Sequence, residues 1–454
     1  DVFAQGYGEE NDFCLRARHL GWRSVAVPGV FVAHLAGASF GPAGRHLRTR
    51  NEALLNRLHP GYDRLVAAFC AADPLAEARR RIDVLRWRAA TRDAAGSAIL
   101  ITHDDGGGVE RQVGVSAARH RTAGLRPIIL RPELRPGADP LVTIDGAAAG
   151  FPNLSYALPA EMPALLRMLR ATSPRLAEVH HTLHHPPAIF ELVTRLAVPY
   201  DVFIHDYPWI CPQVALVGPT RRYCGEPNLA GCEACIADAG RVIDESISVP
   251  ALRDRSAAFL AGARRVVAPS DDAAVRMRNY FPGLRLEALP QEDDACIADP
   301  PRPQPRDGRC RVCLLGAIGV HKGFDILLAC ARDAAERALP LDFIVVGHTI
   351  DDARLLATGL VFVTGRFRQE EAVPLIQAQQ ASLALLPSVW PETWSFGLTE
   401  LWKAGLMVAT FDIGAPAERI RRTGRGILLP FGIPARGINN ALVAAVGLTV
   451  HEGA

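Results

Sequence analysis

Two stretches of this chain repeat one order of local elements: an apolar run, a glycine-bearing loop, then a helical pattern. The first opens at Ser97, in SAILITHDDGGGVERQVGVSAARH, and the second at Arg309, in RCRVCLLGAIGVHKGFDILLACA. An apolar run handed directly to a helix requires a parallel sheet with helices on its faces, because the return crossing must pass over the sheet. Further runs follow the first opening (RPIILRP, LAEVHH, VPYDVFIHD, RRVVAPS) and the second (LDFIVVGH, LVFVTGRF, SLALLPS). Between them lies DPPRPQPRDG, a proline-rich stretch of the kind that links domains. With 454 residues, two or three domains can each bury a core. The fold class expected is α/β, with two Rossmann-like domains facing a cleft.

The chemistry concentrates in SVWPETWSFGLTELWKAGLMVATFDIGA, residues 388–415. Pro391 stops any earlier helix, and the Ser395 hydroxyl can cap a new one. Phe396 and Gly397 then fall in the first turn, where free N–H groups and the helix dipole favour an anion such as a diphosphate. Glu392 precedes that turn and Glu400 lies on the helix, each placed to accept hydrogen bonds from sugar hydroxyls. The same spacing also fits two solvated surface glutamates.

The flanking residues extend the pattern: Pro387-Ser388 before it, Ala404-Gly405 and Met407-Val408-Ala409 after it. The whole resembles the E-x7-E signature of family 4 glycosyltransferases, retaining enzymes of the GT-B fold, and the resemblance spans residues 97–430. It implies that Glu392 faces the donor sugar and Glu400 the ribose. It also places Gly107 and Gly108 against the donor diphosphate, Lys322 on the donor phosphates and a functional His205 at the end of VPYDVFIHD. Catalytic roles are thus expected for His205, Glu392 and Lys322, and donor binding for Gly107, Gly108, Lys322, Arg366, Phe396, Gly397 and Glu400. Arg366 enters because the family usually carries an arginine shortly before the lysine, where this chain has Gly316-Ala317-Ile318-Gly319. Asp206 is the candidate to orient the His205 ring. The resemblance implies no metal in the cleft, a nucleotide-sugar donor, and a glycan or lipid-linked acceptor in surface polysaccharide synthesis. A sugar-nucleotide epimerase of the same fold and an inactive nucleotide-sugar-binding module remain the alternatives.

Two further clusters stand out. HHTLHH, with His180, His181, His184 and His185, follows a strand rather than lying on one helix face, which favours cleft lining over metal binding. Cys211, Cys224, Cys232 and Cys235 fall in a Gly/Pro-rich loop over residues 211–235. Their C-x2-C pair and two partners suit a structural zinc, against which stands a set of four reduced cysteines. Cys310 and Cys313, in a buried strand, point to opposite faces and read as core.

The N-terminal residues 1–41 open on an acidic cluster and a helix ending at Leu20-Gly21, followed by two expected strands, SVAVP and VFVAH. This resembles the C-terminal part of a family 2 glycosyltransferase of the GT-A fold, with Glu10 at the catalytic-base position and His34 near the donor diphosphate and its metal. The nucleotide-binding strands and the Asp-x-Asp motif of that fold are not in the sequence, so the fragment is expected to be catalytically silent. Acids at a helix start also have a plain dipole explanation. Residues 42–95 read as an Arg-rich helical connector whose basic face suits solvent or an anionic membrane surface. The remaining boundaries expected are 96–298 for the acceptor domain, 299–308 for the linker and 309–454 for the donor domain.

Composition narrows the class. A formal charge of +2 argues against a nucleic-acid-binding tail, and no apolar run reaches the ~20 residues that span a bilayer. No leader is apparent, and ten cysteines in this length suit a reducing cytosol, with peripheral contact at the inner membrane face as the variant. The basic residues are almost all arginine; the two lysines are Lys322 and Lys403.

Overall fold

The computed structural model describes residues 2–3, 7–27, 29–30, 32–33, 44–91, 95–135, 137–144 and 150–449. It divides into two compact units, Asp1–Arg92 with Gly146–Leu154, and Asp93–Asp145 with Ser155–Ala454.

The smaller unit is helical, with helices Glu9–His19, Gly44–Leu58, Tyr62–Ala72 and Ala76–Thr91. Its interior is built on Leu55 and Trp87, both fully buried, beside Phe151 and Leu154. Asp83, also buried, accepts from the backbone N–H of Asn153 at 3.0 Å and from its amide at 2.8 Å, which pins residues 150–154 to the last helix. Helix Glu9–His19 buries no residue; it carries acids in its first turn and bases in its last, as the macrodipole favours. Glu10 is on its exposed face. The expected strand SVAVP is absent, for residues 24–27 have no sheet partner and leave Val25 and Val27 exposed to solvent. The described residues of VFVAH form no strand either, and His34 lies outside the described residues.

The larger unit holds two sheets. The first comprises β1 (Ser97–Ile101), β2 (Arg126–Arg135), β3 (Ala138–Ile144), β4 (Ser155–Tyr156), β5 (Pro174–Val179), β6 (Tyr200–Phe203), β7 (Arg265–Ala268) and β8 (Leu286–Ala288). Their order is β4-β3-β2-β1-β5-β6-β7-β8. All pairs are parallel except β2–β3 and β3–β4, which form an antiparallel extension at one edge.

The second sheet contains β9 (Cys310–Ile318), β10 (Leu341–Thr349), β11 (Val361–Val363), β12 (Leu383–Leu386), β13 (Val408–Phe411) and β14 (Gly426–Leu429). It is wholly parallel, in the order β11-β10-β9-β12-β13-β14. That is the doubly wound order in which the first strand lies at the centre and the chain reverses direction beside it. Burial on both faces explains the near-continuous apolar runs. Cys310 joins the core on one face of β9 with Val312 and Leu314, while Cys313 joins the core on the other with Trp402 and Leu401.

Both sheets therefore have a switch point, between β1 and β5 in one and between β9 and β12 in the other. The crevice outside the carboxyl ends of strands at such a point is where doubly wound sheets bind ligands. Two Rossmann-like domains with their switch points lining one cleft constitute the GT-B arrangement.

Candidate active site

The cleft has a volume of about 860 Å³ and is walled mainly by the segments that follow β1 and β6 in the first sheet and β9 and β12 in the second. From the first domain come His103 and residues 105–111 after β1, His205 and Asp206 after β6, and Gln291. From the second come Leu315–Ile318, His321 and Lys322 after β9, and Ser388, Trp390 and residues 392–397 after β12, with Glu400.

Glu392 sits in the floor and is 3% exposed. Its Oε1 receives the Lys322 ammonium at 2.7 Å and the Ser388 hydroxyl. Burial pushes its pKa upward, but the Lys322 charge and the two hydrogen bonds outweigh that and hold the carboxyl below its usual range, so it is ionised. The loop owes its placement to Gly414, which adopts φ 71° and whose missing Cβ would lie 2.7 Å from the Glu392 nitrogen. A side chain there would push the carboxylate out of position.

The helix Phe396–Lys403 is capped by Ser395, whose hydroxyl accepts from the Leu398 N–H. Arg419, fully buried, fixes that cap: it donates to the Ser395 carbonyl at 2.7 Å, pairs with Asp294 at 2.5 Å and stacks 4.0 Å from the Trp394 ring centroid. Gly397 is in the first turn, and Glu400 is one turn on.

Glu400 is not waiting free for a ligand. Arg111, on the helix Gly107–Thr122 of the first domain, donates to its Oε1 at 2.8 Å and to Glu292 at 2.7 Å. The guanidinium also lies over the Phe396 ring at 4.5 Å. Close approach of the two domains here needs glycine at 108, since a Cβ would meet the Phe396 ring at 3.0 Å. Lys403 adds a second cation 3.6 Å from Glu400.

His205 is buried at the end of β6, and both ring nitrogens have protein partners. Nε2 is 3.1 Å from His180 Nδ1, and Nδ1 is 3.3 Å from the Gln291 amide nitrogen. Burial, reinforced by His180, holds its pKa well below the usual histidine range. The ring is therefore neutral. Asp206 does not orient it; that carboxylate lies 3.3 Å from His181 instead. The Thr393 hydroxyl donates to the His205 carbonyl, joining this strand end to the glutamate loop.

The structure thus brings together Gly107, Gly108, His205, Lys322, Glu392, Phe396, Gly397 and Glu400. Arg366 is not among them. After β11 the chain runs with alternating exposure, so that Phe367 lines the cleft and Arg366 points to solvent. Arg111 is the arginine the cleft holds, and sequence reasoning missed it because its partner Glu400 is 289 positions away. Glu10 belongs to the smaller unit. The His184 and His185 side chains line a second cavity of about 260 Å³ near Trp209 and Arg255.

The four loop cysteines are free thiols, each partly buried. Burial pushes Cys211 up to about 12 and Cys224 to about 11, with Cys232 and Cys235 adding to each shift and Cys224 also to that of Cys211. Among the described residues, no group of three or more Cys, His, Asp or Glu side chains has the arrangement to hold a metal ion. The Cys232 sulfur accepts instead from Arg253 at 3.4 Å. Also among the described residues, no helix is long and apolar enough to cross a membrane.

Residues 309–446 match the family model described as "Glycosyl transferases group 1". The C-terminal domain is a glycosyltransferase domain. No curated protein sequence matches the chain. Among solved structures, sucrose-phosphate synthase from Thermosynechococcus elongatus is 15% identical, covering 78% of this chain and 90% of its own, with a TM-score of 0.49. Anabaena HepE in complex with UDP is 11% identical over 77% of this chain and 90% of its own, with a TM-score of 0.47. The pneumococcal O-GlcNAc transferase GtfA in complex with UDP and GlcNAc is 12% identical over 77% of this chain and 91% of its own, with a TM-score of 0.49.

Proposed function

We propose that this chain is a retaining glycosyltransferase that passes a sugar from a nucleotide-sugar donor to a hydroxyl of a glycan or lipid-linked acceptor. The observation that carries the reading is Glu392, a carboxylate sealed in the cleft floor, ionised, and held by the lysine that would meet a diphosphate. A merely structural glutamate has no need of a position beside a capped helix start and a glycine-bearing loop. In this reading Glu392 accepts from hydroxyls of the transferred sugar, and Glu400 accepts from the ribose once Arg111 yields it. The bond from the anomeric carbon to the diphosphate oxygen breaks, and the acceptor oxygen bonds to that carbon on the same face. The acceptor proton goes to the departing phosphate oxygen, because burial leaves His205 a weak base and both of its nitrogens are already bonded. Lys322 and the first turn of helix Phe396–Lys403 stabilise the charge that develops on the diphosphate.

A thermal-shift screen of nucleotide sugars identifies the donor, since bound ligand raises the melting temperature by mass action. Release of nucleoside diphosphate with an acceptor present, and the anomeric coupling in the product, then test transfer and retention. Binding without turnover would instead support an inactive module, and epimerised free sugar an epimerase. Surface polysaccharide assembly rests on the family resemblance alone. On the same footing we propose that residues 1–41 are a silent family 2 remnant, so Glu10→Gln should leave transfer unchanged. We also propose a structural zinc in the loop 211–235, for which the four thiols would have to close up from their present positions; neighbouring sulfurs already raise the pKa of Cys211 and Cys224, a repulsion that a cation would relieve.

A further inference from the structure

A line of hydrogen bonds runs from the interior of the first domain to the cleft wall. It starts at Glu178 in β5, 1% exposed, whose carboxylate takes the Ser116 hydroxyl at 2.5 Å and Arg119 at 2.5 Å. His120 Nε2 lies 2.9 Å from the same carboxylate without hydrogen-bond alignment. Glu178 Oε2 faces His180 Nε2 at 3.4 Å, and the His180 ring lies stacked on Phe203 with 6° between planes. His180 Nδ1 then meets His205 Nε2 at 3.1 Å, and His205 Nδ1 meets the Gln291 amide nitrogen at 3.3 Å.

This line has only one consistent polarity. A carboxylate held ionised, with the Ser116 hydroxyl and the Arg119 guanidinium donating to it, can only accept. His180 Nε2 therefore carries the proton, and a neutral ring leaves its Nδ1 bare. His205 must then donate through Nε2 and accept at Nδ1, and only the NH₂ of Gln291 can complete the line. The amide is thereby held with its nitrogen toward His205. Its oxygen is left buried with no partner, on a residue that lines the cleft. A buried acceptor without a donor is costly, and such groups persist where a ligand satisfies them.

We infer that Glu178, which touches no substrate, is a positioning residue that fixes the tautomers of His180 and His205 and so reserves the Gln291 oxygen for a hydroxyl of the sugar nucleotide. The inference rests on the proposed donor chemistry and adds to it a demand for a donating hydroxyl at one sugar position. Replacing Glu178 with an amide would allow the whole line to reverse, turning the Gln291 nitrogen toward the ligand.

The first test reads the native chain and uses variants only for assignment. The full chain labelled with ¹⁵N-histidine is examined by long-range ¹H–¹⁵N correlation at neutral pH, with signals assigned through His180→Asn and His205→Asn. Both rings should be neutral with the proton on Nε2; a proton on His205 Nδ1 would overturn the inference. The second test compares the donor found by screening with analogues in which one hydroxyl at a time is replaced by fluorine, which does not donate. One analogue should lose about tenfold in kcat/KM with the unmodified enzyme. Gln291→Leu and Glu178→Gln should each lose a similar factor on the natural donor, cease to discriminate that analogue, and combine without further loss. A folded Glu178→Gln that discriminates as before, or additive losses, would also overturn it. Should Glu178→Gln fail to fold, the histidine spectrum and Gln291→Leu still decide. If the unmodified enzyme turns over no nucleotide sugar, the proposed activity fails while the tautomer result stands separately.

Discussion

Replacing Lys322 with alanine tests the centre of the site through two independent readouts. In the native protein the ammonium lies 2.7 Å from a carboxylate that is 3% exposed. Removing one member of a buried pair costs about 3–5 kcal/mol, because the other charge stays buried and unpaired. Here the Ser388 hydroxyl still donates to Glu392, and the lysine side chain is 36% exposed, so water can partly replace it. The expected loss is therefore about 2–3 kcal/mol at pH 8. The sign with pH follows from Glu392. In the native protein its pKa is held below the unfolded value, so it contributes stability above that value and loses it as pH falls through the lower folded pKa. Without Lys322, burial dominates and the folded pKa moves above the unfolded one. Glu392 then contributes least cost when protonated, and the deficit of the variant grows as pH rises from 4 toward 8, a range set about the usual carboxylate pKa of ~4.3. Urea denaturation of both proteins across that range measures the difference. Turnover at pH 7 should fall by about 10²–10³, the usual effect of removing one group that stabilises developing oxyanion charge. A stability difference that is flat with pH, or unchanged turnover, would refute the coupling between these two residues.

Other substitutions probe the surrounding structure. Arg111→Ala removes a bridge between the domains and frees Glu400; nucleotide-sugar affinity measured by calorimetry should change by about tenfold, in contrast to Arg366→Ala, which should leave it unaltered. Gly414→Ala forces a Cβ against the Glu392 backbone at a positive φ, so transfer should be lost with about 1–3 kcal/mol of destabilisation in a melting experiment. Elemental analysis of purified protein should find about one zinc per chain. Absence of stoichiometric metal would leave the loop held by Arg253 and its own backbone bonds.

The second sheet and the glutamate loop were legible because their signals are local. The alternation of apolar run, loop and helix, and the spacing from Pro391 to Glu400, need no knowledge of the rest of the chain. SVAVP failed as a strand because β-propensity acts only when a neighbouring strand covers the side chains, and among the described residues none does. Arg366 failed because sequence distance from Lys322 says nothing about which way an exposed loop residue turns. Arg111, Gln291 and Glu178 were illegible for the opposite reason. Each acts through a partner brought close only by the fold, and a lone Arg, Gln or Glu in the sequence carries no mark of that. The polarity of the histidine line, in particular, is a property of several residues at once.

The near absence of lysine has a practical consequence. Acylating reagents aimed at primary amines have two side-chain targets in this sequence; Lys322 lines the cleft, and Lys403 neighbours Glu400, which also lines it. Lys322 is 36% exposed beside Glu392, and Lys403 is 41% exposed beside Glu400 and Glu292. Chemistry that decorates most proteins indiscriminately becomes a footprint here. Peptide mass spectra of the two sites, taken with and without nucleotide sugar, would read occupancy directly. Shielding of Lys322 should track the donor diphosphate, and the rate at Lys403 should report the freeing of Glu400.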